Sequence, residues 1–300
     1  MSSNENKGEK TGVKKRGQGA GDERGGFKVG LCQPNAKLEV QENLRLAEDL
    51  VKEARSQGAD LVIVPENFAY MGPEEDRVAL AEVLEVAAGE ADDGDEGDEA
   101  HEAHEADEAD KTHEAHGPIL SWARRVVREQ GCWLLLGGIP ERSPDPKRAY
   151  NTAALLDPRA AIQAKYHKMH LFDLYPEDAP AIVESASTFP GEEVVVASTP
   201  WLQLGLLCAP AAFTSATGQA HWKTLVRARA VENLSFVAAA NLCGQHYPGR
   251  ASYGHSRIVD PWGDVLASLG DEEGVCVAEL DPARLVEVRK KLPALKHRRL

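Results

Sequence analysis

The feature that most constrains the fold is an apolar run, a helical pattern and a second apolar run in direct succession. The first run, FKVGLCQPN, begins at Phe27 and has the length of a buried strand. Apolar residues then recur at helical spacing until Gly58, at Val40, Leu44, Ala47, Val51 and Ala54. The second run, ADLVIVPEN, also has the pattern of a buried strand. A strand–helix–strand opening predicts an α/β protein with a covered sheet.

The alternation continues along the chain. We predict helices over PILSWARRVVREQ, HWKTLVRARAVEN and PARLVEVRKKL, and strands over CWLLLGGIP, SFVAAANLCG, HSRIVDPWGDVLASL and GVCVAEL. YNTAALLDP and AIQAKYHKMHLFD form a predicted strand pair around a turn, and EVVVASTPWLQLGLLCAPAAF is strand-rich. Residues 27–300 are therefore predicted to form one α/β domain.

Two polar segments lie outside this pattern. Residues 1–26 are polar and Gly-rich, and residues 90–116 hold 13 acids, four His and one Lys. Neither segment can bury enough apolar surface to offset its ordering entropy, so we predict a disordered arm and a disordered acidic insertion. The net charge of −14 comes mainly from the insertion. The remaining body is weakly acidic, which argues against a nucleic-acid partner.

The chain shows no apolar run long enough to span a bilayer, and its first residues lack the apolar core of a secretory signal. Its five cysteines are scattered without CxxC spacing, at Cys32, Cys132, Cys208, Cys243 and Cys276. This spacing argues against a disulfide framework or a structural zinc site. We expect free thiols, a cytoplasmic location and no membrane contact.

Three residues with reactive side chains lie at or near the ends of apolar runs. Glu66 ends LVIVPEN, where partial desolvation predicts a raised pKa, Lys168 lies in YHKMHLFD, and Cys208 lies in GLLCAPAAF. An acid, an amine and a thiol at one sheet edge suit amide hydrolysis: the thiolate attacks the amide carbon while the carboxylate moves the proton. The ammonium group would stabilise the oxyanion and lower the thiol pKa. Each residue alone has a more ordinary interpretation as a capping, solvated or core side chain.

Longer motifs connect these residues. LVIVPEN, YHKMHLFD, VESASTFPGEEVVV, GQAHWKTLVRARAVEN and RASYGHSRIVDPWG together resemble the nitrilase (carbon–nitrogen hydrolase) superfamily. The last two motifs are most similar to the branch of deaminated glutathione amidase and omega-amidase-like enzymes. The resemblance implies an α–β–β–α sandwich, four-layered when two subunits pair through their helices, and thus a homodimer.

The resemblance also implies a site that needs no cofactor and no metal. The family uses a Glu–Lys–Cys triad, in which Glu66 matches the general base and Lys168 matches the lysine. Glu184 matches a supporting glutamate that positions the lysine and the substrate. Cys208 is the candidate nucleophile. Asn241, in AAANLCG, falls where the pocket rim of the family often lies. Its side chain has two alternative roles, a substrate contact or core packing.

The pattern breaks near the nucleophile. Family members carry G-L-x-x-C-Y-D-x-R-F-P-E, then a helix and a strand ending near P-A-A-F, whereas LGLLCAPAAFTSATG joins the two ends directly. One strand–helix segment is therefore missing from the expected fold. Either Cys208 is the nucleophile and the loss follows it, or LCAPAAF belongs to the later strand and Cys208 is a buried thiol. A slip of one residue turns a strand side chain to the opposite face.

These alternatives lead to different functions. The first is hydrolysis of a small linear amide that bears a carboxylate, such as deaminated glutathione, through a Glu–Lys–Cys triad and a thioester. The second is a catalytically impaired or inactive binding or scaffold protein. A third makes the acidic, His-containing insertion a metal-binding or partner-docking element on an idle domain.

Overall fold

The computed structural model describes residues 26–86, 117–175, 177, 181–201, 205–297 and 299. Its α-helices are α1 (Val40–Ser56), α2 (Pro118–Gln130), α3 (Ser215–Thr217), α4 (Lys223–Asn233) and α5 (Pro282–Lys291). The π-helical turn Gly218–Trp222 joins α3 to α4, and 3-10 turns cover Glu74–Leu80, Glu184–Ala186 and Ala294–His297. The predicted acidic insertion lies outside the described residues, as does the predicted arm except for Gly26.

The strands, in chain order, are β1 (Phe27–Gln33), β2 (Leu61–Glu66), β3 (Trp133–Arg142), β4 (Ala149–Leu156), β5 (Ile162–His167), β6 (Asp173–Leu174), β7 (Ile182–Val183), β8 (Thr188–Phe189), β9 (Leu206–Cys208), β10 (Phe236–Ala239), β11 (Cys243–Tyr247), β12 (Arg250–Tyr253), β13 (Arg257–Val259), β14 (Val265–Ser268) and β15 (Gly274–Leu280).

The strands form two main sheets. The larger has the order β15-β1-β2-β3-β4-β5, with β8 beside β4, and the smaller has the order β14-β13-β10-β9. The predicted strand–helix–strand opening is confirmed, because β1 and β2 are parallel with Val29 opposite Leu61. The predicted strand pair around a turn is β4 and β5, which are antiparallel.

Helix α2 shows why the sequence folds as it does locally. Pro118 occupies its first turn, where a missing N–H costs nothing, and Gly131 ends it in the left-handed conformation at φ 59°. One face carries the buried side chains, among them Leu120 and Val127, which pack against the larger sheet.

Alternating side chains divide the interior into layers. One face of the larger sheet packs on α1 and α2 through residues such as Val62 and Leu134. Its other face, with Leu31 and Ile63, packs on Phe236 and related residues of the smaller sheet. Val237 and neighbouring residues point away from that core to α4.

The predicted α–β–β–α sandwich is therefore confirmed. Its four layers occur within one chain, however, and do not require a second subunit as the sequence analysis expected. The reason is that each sheet has its own helices to cover its outer face.

The strand-rich prediction for EVVVASTPWLQLGLLCAPAAF is only partly correct. Within its described residues β9 is the one strand, and Val194 and Val196 are 82% and 90% exposed in an irregular segment. These valines lack a neighbouring ladder to join, so their strand propensity is not used. Within the described part of the chain, every helix is too short or too polar to cross a lipid bilayer.

Candidate active site

Glu66 occupies the carboxyl end of β2, opposite Gly138 of β3. Asn67 follows it with φ 60°, a left-handed conformation that Asn tolerates better than most residues. This residue redirects the chain and leaves the Glu66 side chain 15% exposed at the sheet edge. The predicted position of an acid at the end of an apolar strand is thus confirmed.

Lys168 lies between two carboxylates. Its Nζ is 2.9 Å from Glu66 Oε1 and 2.8 Å from Glu184 Oε2, and the Glu184 side chain is 6% exposed. Glu184 is held in turn by the backbone N–H of Phe172, which donates to Oε2 at 2.7 Å. The structure thus brings together three of the predicted site residues from β2, the segment after β5 and a 3-10 turn.

Asn151 completes this cluster, and sequence reasoning missed it. Its Nδ2 donates to Glu66 Oε1 at 2.7 Å and to Glu184 Oε1 at 3.1 Å, which ties the two acids to β4. Gly138 makes room for the amide, because a Cβ there would lie 2.5 Å from Asn151 Oδ1. The available signal was a polar amide in a largely apolar strand, YNTAALL.

The charges of the cluster decide its protonation. Burial raises the pKa of Glu66, but Lys168, Arg77 and the hydrogen bonds outweigh it and hold the pKa below its usual value. The raised pKa expected from the sequence is therefore wrong, because desolvation was considered without the partner cation. Burial lowers the pKa of Lys168, and the two carboxylates raise it well above its usual range. Glu66 and Lys168 therefore form an ionised pair at neutral pH.

Cys208 has a different environment. It lies opposite Ala238, and the parallel ladder runs on past it: Ala209 N donates to Ala238 O and Ala211 N donates to Ala240 O. Over the described residues 205–211, the chain therefore stays extended and makes no sharp turn after the thiol. Cys208 packs against the apolar cluster between the sheets.

The strand that carries Cys208 reaches Glu66 four residues later. The N–H of Ala212 donates to Glu66 Oε2 at 3.1 Å. Because a strand advances about 3.3 Å per residue, roughly 13 Å separate the Cα atoms of Cys208 and Ala212. Burial raises the pKa of Cys208 to about 12, so the expectation that Lys168 lowers it is wrong. The structure brings the acids and the amine together, whereas the thiol lies four residues before the strand reaches Glu66.

Asn241 forms part of the frame of this edge. It is fully buried, its Oδ1 accepts from Phe213 N at 3.0 Å, and its Nδ2 donates to Gly254 O at 2.8 Å. Both ends of the amide therefore hold backbone segments next to the site. A substrate contact by Asn241 stays a prediction.

Sandwich, strand-end glutamate and paired lysine together define a nitrilase-type protein. The carbon-nitrogen hydrolase family model matches residues 28–290. Deaminated glutathione amidase of Homo sapiens is 34% identical over 297 residues, covering 90% of this chain and 82% of that protein. The Synechocystis enzyme of the same name is 33% identical over 297 residues, covering 91% and 98%. The chain belongs to the carbon-nitrogen hydrolase family.

Solved structures agree with the fold. The NitFhit protein of C. elegans matches with a TM-score of 0.74 and 29% identity, covering 92% of this chain and 65% of that chain. Nit3 of Saccharomyces cerevisiae, a member of branch 10 of the nitrilase superfamily, matches with a TM-score of 0.73 and 24% identity, covering 91% and 97%. This second likeness concerns the fold alone.

Proposed function

We propose that this protein hydrolyses a small linear amide bearing a carboxylate, with deaminated glutathione as the model substrate. The cluster of Glu66, Lys168 and Glu184 carries the proposal, because it places a charged carboxylate 2.9 Å from an ammonium group at an accessible sheet edge. The human and Synechocystis relatives named deaminated glutathione amidase support the choice of substrate.

The proposed reaction has two stages. Glu66 takes the proton of the Cys208 thiol, the sulfur bonds to the amide carbon, and Lys168 stabilises the oxyanion. Glu66 then returns the proton to the leaving nitrogen, so the C–N bond breaks and ammonia or an amine departs from the thioester. Water, deprotonated by Glu66, attacks the thioester and releases the carboxylic acid and the thiol. Glu184 and Asn151 position Lys168 and Glu66 throughout.

A second candidate function is favoured by the environment of Cys208. Burial raises the pKa of the Cys208 thiol to about 12, and this partly exposed residue lies on an unbroken ladder and packs against the apolar cluster between the sheets. A protein with this arrangement binds a small amide at the acid–amine cluster and releases no product. This candidate is the non-catalytic binding protein considered from the sequence.

One experiment separates the two candidates. Ammonia release from deaminated glutathione and short omega-amides is measured for the unmodified chain and for the variants Glu66→Gln, Cys208→Ala and Cys276→Ala. Cys276 is the matched control, because it is a thiol of the same apolar cluster and its pKa is also raised to about 12. Intact mass spectrometry of quenched reactions detects an acyl group on the protein.

Hydrolysis through Cys208 requires turnover that is lost in Glu66→Gln and Cys208→Ala and kept in Cys276→Ala, together with an acyl adduct on Cys208. Amide binding without turnover in any variant establishes the binding protein instead. Absence of both binding and turnover would contradict both candidates.

A further inference from the structure

A second group of charged side chains comes from two segments near the carboxylate cluster. The 3-10 turn Glu74–Leu80 supplies Glu74 and Arg77, and strand β12 begins with Arg250. Arg77 is buried, with 5% exposure, and its Nη1 is 3.6 Å from Glu74 Oε2.

Packing places both segments near the cluster: Met71, three residues before Glu74, and Leu242, just before β11, pack with Ala212, whose N–H donates to Glu66 Oε2. Burial raises the pKa of Glu74, the charges of Arg77 and Arg250 oppose that rise, and Glu184 and Glu66 add to it. Arg77 in turn lowers the pKa of Glu66. Arg77 therefore acts on both Glu74 and Glu66.

Two atoms of this charged group have unmet hydrogen-bonding capacity. Within the described part of the chain, Arg250 Nη1 and Glu74 Oε2 are buried and have no hydrogen-bond partner. The 3.6 Å separation of Arg77 from Glu74 is also too long for a hydrogen bond. A buried guanidinium N–H without an acceptor is costly, and an anionic ligand oxygen supplies that acceptor.

The distribution of charge indicates the ligand. Counted as formal charges, Lys168 offsets one of its two carboxylate partners and leaves one negative charge. Arg77 and Arg250 exceed Glu74 by one positive charge. A molecule with a neutral amide at one end and a carboxylate at the other matches this division, because its anionic end lies away from Glu66 and Glu184.

We propose that Arg77 and Arg250 bind the carboxylate of the linear amide. The identity of the amide end rests on the proposed function, whereas the carboxylate receptor is a binding property that exists without turnover. Guanidinium groups suit this role, because their planar N–H pairs match the two oxygens of a carboxylate.

The test compares two probes of similar size. Succinamate has one amide and one carboxylate, and succinamide has two amides. Calorimetric titration measures both for the unmodified chain and for Arg77→Gln, Arg250→Gln and Arg250→Lys. Arg229→Gln is the matched control, because Arg229 is exposed on α4 and pairs with Glu232. Thermal melting checks that each variant is folded.

We expect Arg77→Gln and Arg250→Gln each to weaken succinamate binding by about tenfold or more while succinamide affinity changes little. Arg250→Lys retains part of the affinity, and Arg229→Gln retains all of it. Glu74→Gln strengthens succinamate binding, because it removes a carboxylate that competes for Arg77. A merely structural role would not produce this gain.

Three results would overturn the proposal: equal losses for both probes, unchanged succinamate affinity in both glutamine variants, or no succinamate binding by the unmodified chain. Ammonia release in the same samples keeps the two proposals apart. Arginine-dependent succinamate binding without ammonia leaves this inference standing and refutes hydrolysis. Ammonia release that is indifferent to both arginines does the reverse.

Discussion

Lys168→Met is the substitution whose effect can be worked out most fully from the structure. It removes the cation that lies 2.9 Å from Glu66 and 2.8 Å from Glu184, and it leaves both carboxylates poorly exposed. Removing one partner of a buried ion pair costs about 3–5 kcal/mol when the remaining charge stays. The variant avoids part of this cost if one carboxyl takes up a proton.

Protonation of one carboxyl sets the size of the loss in the free energy of unfolding. Starting from the ordinary glutamate pKa of 4.5, protonating one carboxyl costs about 1.4 kcal/mol per pH unit, or roughly 3 kcal/mol at pH 7. We therefore expect the free energy of unfolding to fall by about 3 kcal/mol at pH 7 and by about 2 kcal/mol at pH 6. Arg77 remains nearby and reduces both values.

The sign of the pH dependence follows from proton binding. In the variant, the folded-state pKa of one carboxyl lies above its unfolded value, so the folded state binds the extra proton and stability falls as pH rises. In the unmodified chain the Glu66 pKa is lowered, so its contribution is present above pH 4.5 and is lost as pH falls below that value. The two stability curves must therefore diverge between pH 5 and pH 8.

Urea unfolding at unit pH intervals measures this divergence. Lys52→Met is the matched control, because Lys52 is an exposed lysine that pairs with Glu48, and its stability curve should stay parallel to that of the unmodified chain. Parallel curves for Lys168→Met, or a loss below about 1 kcal/mol at pH 7, would refute the view that Lys168 compensates two buried charges.

The remaining predictions concern His246, Gly138 and Glu82. Burial lowers the pKa of His246 to about 4, so the unmodified chain should lose about 3 kcal/mol of stability as pH falls from 6.5 to 4. His246→Gln should flatten this pH dependence in urea unfolding, and an unchanged dependence would contradict the assignment of the loss to His246. Gly138→Ala should displace Asn151 and weaken amide binding or turnover about tenfold or more, measured by calorimetry and ammonia release, because the new Cβ would lie 2.5 Å from Asn151 Oδ1. Glu82→Ala should lower the free energy of unfolding by about 1–2 kcal/mol, because the Glu82 carboxylate accepts two backbone N–H groups at the start of α2; a loss near zero would exclude a capping role.

The sequence could predict the fold and half of the site because both depend on local patterns. Glu66 ends an apolar strand, and such ends meet at one edge of a parallel sheet, so its position follows from β2 alone. The prediction of Lys168 and Glu184 follows from the motifs that contain them. Their mutual distances depend on β4, β5 and the following turn, which only the folded chain brings together.

Asn151, Arg77 and Arg250 could not be found in this way. Asn151 has its role because Gly138, on the neighbouring strand, leaves space for its amide. The two arginines are far apart in sequence and are joined by tertiary structure. Their importance is visible in burial and unmet hydrogen bonds, properties that no sequence spacing encodes.

Cys208 shows how one residue of register separates the two proposed functions. Leu206 and Cys208 face the larger sheet, whereas Ala209 and Ala211 face α4, so the face of each side chain is fixed by the ladder with β10. A nucleophile must leave such a ladder, because the turn after it exposes the thiol and aims a backbone N–H at the oxyanion. Here the ladder continues to Ala211, and it is the N–H of Ala212 that meets Glu66. For the thioester route, the strand must therefore open by several residues before the thiol can reach the substrate, and the cost of that opening would appear directly in the rate of acylation.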